Sequence, residues 1–139
     1  MLDNKKEFNN IKVHTQYSIC EGAIKIDDLA NYCKTNKIKA IGLADSYNLC
    51  GALEFAEKIS KTGTQPIIGT QINILSENQI GKITLYATSE QGYKNLTKLS
   101  SKSYLNNKAS HDPYCEISDL ILNNAITKTP AGAMVKVDT

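Results

Sequence analysis

Several features that would place the chain quickly are missing from it. Its four cysteines, Cys20, Cys33, Cys50 and Cys115, include no Cys-x-x-Cys pair. That removes zinc-knuckle spacing and leaves free thiols in a reducing, cytoplasmic setting as the simplest expectation. No apolar run is long enough to span a bilayer, so no membrane partner is expected. The start, MLDNKKEFNN, has none of the apolar character of a signal peptide. Charge of neither sign dominates: sixteen basic residues against fourteen acidic give +2, short of the concentrated charge of a dedicated DNA-binding module. The tyrosines are spread out rather than clustered as a base-stacking platform. No internal repeat, low-complexity segment or phosphate-cradling glycine motif is present.

What is there suits one ordinary domain: 139 residues, 41% hydrophobic and 22% charged. NIKVHT alternates Ile11 and Val13 and reads as a short first strand. Ile26, Leu29, Ala30 and Cys33 repeat at helical spacing, with Asp27 and Asp28 in the first turn. KAIGLA (39–44) reads as a buried strand ending at Asp45. Ala52, Phe55, Ala56 and Ile59 make a second helix that Gly63 is placed to close. PIIGTQINI (66–74) and KITLYA (82–87) read as two further strands. Thr88 and Gln91 fit a capping box for a helix reaching about Leu105. SDLILNN suits a short helix, and the tail AITKTPAGAMVKVDT has no clear period. Strands alternating with helices imply parallel pairing and an α/β fold.

In such folds chemistry collects at the carboxyl ends of the strands. His14, Glu21 and Asp45 fall there, with Ser46, Thr70 and Gln71. On residue type alone, His14, Glu21 and Asp45 suit a divalent cation. The same residues equally suit a cap at Asp45 and a local hydrogen bond at His14. Lys94, Lys98 and Lys102 stand four apart on the third helix. They form a candidate binding stripe for a phosphate backbone or an acidic partner, or else a solvated face. No catalytic residue is assigned.

VHTQYSICEGAIKIDDLANYC, AIGLADSYNLCGALEFAEKISKTGTQPIIGTQINI and ITLYATSEQGYKNLTKLSSKSYL together resemble the PHP (polymerase and histidinol phosphatase) domain at the start of bacterial DNA polymerase III alpha subunits. The resemblance runs in register from about residue 11 to 122. It implies a distorted β/α barrel, of which this chain holds the first half: parallel strands with flanking helices. It divides the chain into a partial PHP domain, 1–122, and a tail, 123–139.

Active members of that family hydrolyse phosphoesters with a metal cluster, and the resemblance shows which ligands this sequence has kept. The family's opening His-x-His is Lys12-x-His14 here. Its early acid is Glu21 before Gly22. Its Asp-His is Asp45-Ser46. Its strand-three Glu is Gln71, and the His opening its fourth strand is Lys82. Each lost anion weakens a site for hard cations. A lysine repels them by roughly 4 kcal/mol at 4 Å in a medium of dielectric about 20. Alternatively, a lysine fills the space and pairs with Glu21 or Asp45. The expectation is a vestigial site at His14, Glu21 and Asp45 with no cofactor, and a non-catalytic role in structure and assembly.

As part of a DNA-directed DNA polymerase, a nucleotidyltransferase, such a domain would meet the other alpha-subunit domains, the proofreading exonuclease subunit and, through the parent polymerase, DNA. An open half-barrel also suggests self-association at the edges near PIIGTQINI or ITLYA. The alternatives are a phosphoesterase or 3′–5′ exonuclease using zinc, manganese or magnesium, and a stand-alone interaction module from a split gene.

Overall fold

Two parallel strands connected through one helix set the frame. Ala40–Ser46 (β1) and Gln65–Ser76 (β2) pair in parallel from Ala40 opposite Gln65 to Ser46 opposite Gln71, and Ala52–Ser60 (α2) connects them. A computed structural model describes residues 8–77, 79–105 and 112–122 and the backbone of 133–137. Ile26–Asn36 (α1) precedes β1, carrying Asp27 and Asp28 in its first turn and burying Ile26, Leu29 and Cys33 as the helical spacing predicts. After α2 the chain passes through Gly63 at φ +83, a backbone conformation that glycine adopts without cost.

Gln79–Ala87 (β3) pairs with β2 antiparallel. The parallel pairing expected from the sequence holds for β1 with β2, but β2 and β3 follow each other directly and pair antiparallel, because the link from Ser76 to Gln79 is far too short for a crossover, which needs a dozen residues or more. Glu90–Leu105 (α3) then lies over β2 and β3. Its cap is Ser89, whose hydroxyl accepts from Gly92 N at 3.1 Å, rather than the predicted Thr88. Tyr114–Glu116 (β4), not foreseen from the sequence, runs parallel to β2 at Asn73–Leu75, and Ile117–Leu122 (α4) follows. β3 fills one edge of β2 there, so β4 takes the edge that β1 vacates after Gln71. Ala133–Val137 (β5) pairs antiparallel with β3. It falls within the expected tail, whose remaining residues, 123–132 and 138–139, lie outside the described ones.

The predicted first strand contracts to bridging contacts. Val13 N donates to Gly42 O, and Gly42 N to Asn10 O, at 3.0 and 2.9 Å. The edges proposed for self-association are covered over much of their length: β2 is paired on both sides at residues 69–71 and 73–75, though residues 66–68 pair with β1 alone, and β3 carries β5 over Ile83–Ala87.

Strand alternation sorts the sheet into two faces. Ile41 and Leu43 pack with Phe55, Ile59, Ile26 and Leu29 under α1 and α2. Ile72, Ile74, Ile83 and Leu85 pack with Leu96, Leu99 and Leu120 under α3 and α4. The opposite parity carries Ser46, Gln71, Asn73, Lys82 and Thr84. Asp45, by contrast, shares the parity of Ile41 and Leu43, so the candidate site sits at the carboxyl end of β1, where Asp45 and Ser46 from the two faces meet the segment after Val13.

Candidate functional site at the strand ends

Asp45 lies near the carboxyl end of β1 and is fully buried. Both its oxygens are engaged by the segment after Val13. Thr15 N and Ser18 Oγ donate to Oδ1 at 2.6 and 2.7 Å, and Thr15 Oγ1 donates to Oδ2 at 2.7 Å. Ser18 has only one hydroxyl proton, and Asp45 takes it. The same oxygen accepts from Ser46 N at 3.0 Å, and it lies 3.3 Å from His14 Nδ1. His14 must therefore carry its proton on Nδ1 to make that contact.

Glu21 comes from the loop between Thr15 and Ile24. That loop is closed by a bridge between these two residues and by Gln16 N donating to Ile24 O at 2.9 Å. It turns tightly at Gly22, where a Cβ would sit 2.2 Å from Thr15 O. One Glu21 oxygen accepts from Ser46 Oγ and the other from Lys82 Nζ at 3.1 Å. The Ser46 hydrogen bond, with the Lys82 ammonium behind it, holds the Glu21 carboxyl below the usual range against the opposing effect of burial. Burial pulls the Lys82 pKa down, but the Glu21 and Tyr47 contacts outweigh it and the net shift is upward. The ammonium lies 5.2 Å from the centre of the Tyr47 ring, within cation–π range. Tyr47 is held there at φ +64, a left-handed conformation that costs a non-glycine residue about 1–2 kcal/mol. Its N–H donates to Gln71 O at 2.7 Å, and its hydroxyl meets Asn73 Oδ1 at 3.3 Å.

The structure thus gathers His14, Glu21 and Asp45 at one end of the sheet but does not converge them. Asp45 faces Thr15 and Ser18, Glu21 faces Ser46 and Lys82, and His14 turns to Ser18. Among the described residues no group of three or more His, Cys, Asp or Glu side chains is placed to hold a metal ion. All four carboxylate oxygens accept from protein donors, and a lysine ammonium lies in hydrogen-bond contact with Glu21. This donor set does not fit a metal cluster.

The stripe lies on α3, with Lys94 and Lys98 exposed. Lys94 pairs with Glu90 at 2.7 Å, and Lys102 with the buried Asp119 of α4. Sequence reasoning missed Thr15, Ser18 and Tyr47. Only the positions of Thr15 and Ser18, directly after His14 and 27 to 30 residues before Asp45, hint at their role.

Comparison with known proteins places this geometry. Residues 10–129 match the PHP domain family. The chain is 40% identical over 118 residues to the DNA polymerase III subunit alpha of Rickettsia felis, covering 84% of this chain and 10% of that protein. To the Vibrio cholerae subunit it is 33% identical over 118 residues, covering 83% and 10%. The chain therefore spans about a tenth of the length of these curated relatives. Among solved structures, a Bifidobacterium adolescentis protein provisionally assigned as a metal-dependent phosphoesterase matches with a TM-score of 0.51 at 15% identity. That match covers 89% of this chain and 45% of that one. A Chromobacterium violaceum amidohydrolase matches with a TM-score of 0.51 at 14% identity, covering 66% and 32%. These two show a shared fold, in keeping with a partial PHP barrel. No helix among the described residues is long and apolar enough to cross a membrane.

Proposed function

Since this chain belongs to the PHP domain family, we propose that it is the amino-terminal PHP portion of a replicative DNA polymerase III alpha subunit, acting in the cytoplasm in structure and assembly rather than catalysis. The observation that carries this reading is the complete engagement of Asp45 and Glu21 by protein donors. Family chemistry needs metal-activated water, because the metal is what brings the pKa of water toward neutrality. A lone His14 acting as general base supplies only about 10² to 10⁴ in rate. The vestigial site at His14, Glu21 and Asp45 therefore takes no zinc, manganese or magnesium. Single-stranded DNA and a generic phosphoester, each with added manganese, should show no turnover above background. Turnover that disappears in His14→Ala would establish the metal-dependent enzyme instead.

The partners of this role are the remaining domains of the alpha subunit and the proofreading exonuclease subunit, with DNA reached through the parent polymerase. α4 supports this: it buries Asp119 and Leu120 but exposes Ile117, Ile121 and Leu122, and Tyr104 and Leu105 are exposed at the end of α3. Exposed apolar side chains mark an interaction surface where they form one contiguous patch, as consecutive residues at the ends of α3 and α4 would. With relatives about ten times longer, the downstream polymerase chain is the occupant. Lys94 and Lys102, already paired within the fold, contribute little to DNA binding on this reading. Taken alone, the chain should self-associate through the same apolar residues at tens of micromolar, approximately where modest interfaces form. Light scattering should show the larger species, and the double variant Ile121→Glu, Leu122→Glu should return it to monomer. A monomeric wild type would count against the surface.

A further inference from the structure

The contact between Lys82 and Glu21 has a consequence for the loop that carries Glu21. The Thr15–Ile24 loop is tied to β1 by Ser18, through Asp45 and Ser46 N, and by Glu21 through the Ser46 hydroxyl. Its tie to β3 is Lys82, 61 residues further along the chain. The lysine is well braced for this. It stands opposite Asn73 in the β2–β3 ladder, and its ammonium lies near the Tyr47 ring, whose hydroxyl returns to Asn73. We infer that Lys82 is a resident counter-cation for Glu21, pinning the Thr15–Ile24 loop over the end of the sheet so that the loop is ordered without a divalent ion. This rests on the non-catalytic reading above. It goes further by giving one residue a positive task at the degenerate site: a charge fixed on β3 does for the loop what a bound ion would do, and no chelator can remove it.

Amide exchange in the whole 139-residue chain tests this. Glu21 N and Gly22 N both donate to Ser18 O, at 3.1 and 2.9 Å, and they report directly on the turn. Lys82→Met keeps the apolar stem and removes the charge. The two side chains are 36% and 39% exposed. Protection at these two amides should therefore fall by roughly two- to fivefold, as for a solvent-accessible pair. Protection in the β1–β2 ladder should stay unchanged, and Lys82→Arg should keep most of the wild-type value. Glu21→Gln removes the charge from the loop side and should give the same local loss should Lys82→Met prove too unstable to measure. Adding EDTA or manganese to the wild type should change nothing. Unchanged protection in both Lys82→Met and Glu21→Gln overturns the counter-cation role and leaves the non-catalytic reading standing. Wild-type protection that rises with manganese and falls with EDTA overturns both, because a metal would then be ordering the loop.

Discussion

Asp45→Ala should remove on the order of 5 kcal/mol of stability, enough to leave the chain close to unfolded at room temperature, since whole domains are stable by about 5–15 kcal/mol. The carboxylate is fully buried and accepts from Thr15 N, Thr15 Oγ1 and Ser18 Oγ. Thr15 and Ser18 are fully buried as well, so alanine leaves three donors away from water. Each orphaned donor costs roughly 1–3 kcal/mol. The loss propagates, because Ser18 also holds Ser46 N and contacts His14. Asp45→Asn should lose less, since its remaining carbonyl oxygen still accepts from part of the set. Urea unfolding followed by circular dichroism measures the effect, with the midpoint falling and the slope retained. A loss below about 1 kcal/mol, the scale of one ordinary hydrogen bond, would show that Asp45 is not the structural centre described here.

That prediction also marks where sequence reading stops. α1 and α2 follow from apolar spacing, since their burial is periodic within one segment: Ile26, Leu29 and Cys33 on one helix, Ala52, Phe55 and Ile59 on the other. β1, β2 and β3 follow instead from short apolar-rich runs, which the fold buries almost continuously through their middles. β4 has only three residues, too few for a period to show. The first strand reads correctly as apolar alternation, but Asn10–Val13 reaches β1 through a few backbone bonds rather than a ladder.

At the site, the resemblance identified which ligands are missing but not what replaced them. It named Glu21 and Asp45 as two acceptors open to Lys12 or Lys82, and the fold joins Lys82 to Glu21. No local pattern records that choice across 61 residues. Nor does any pattern announce that a threonine and a serine would occupy Asp45. Hydroxyl residues are common everywhere, and only the closed Thr15–Ile24 loop brings these two inward.

Gly42→Ala should be the other severe substitution, because it acts where that segment meets the sheet. A Cβ at Gly42 would lie 2.1 Å from Ile11 O, 2.5 Å from Ile11 Cα and 2.6 Å from Ile11 C. These are backbone atoms, so no rotamer change relieves the overlap. The 10–13 segment can move away only by breaking Val13 N to Gly42 O, Gly42 N to Asn10 O and Ala44 N to Val13 O, at 3.0, 2.9 and 2.9 Å. Val13 would also leave the apolar cluster under α1 and α2, and the donors on Thr15 would be drawn off Asp45. Core strain and broken buried hydrogen bonds each belong to the mechanisms that produce the largest single-residue losses. A cost of about 3 kcal/mol corresponds to a Tm lower by roughly 10 °C for a domain of this size. Gly81→Ala is the matched control on β3: a Cβ there meets nothing within 4 Å, so it should be neutral, or stabilising by up to about 1 kcal/mol through the unfolded chain. Thermal unfolding of the two variants side by side is the measurement. Equal Tm values would mean that residues 10–13 do not lie against β1, and the route by which Thr15 reaches Asp45 would have to be redrawn.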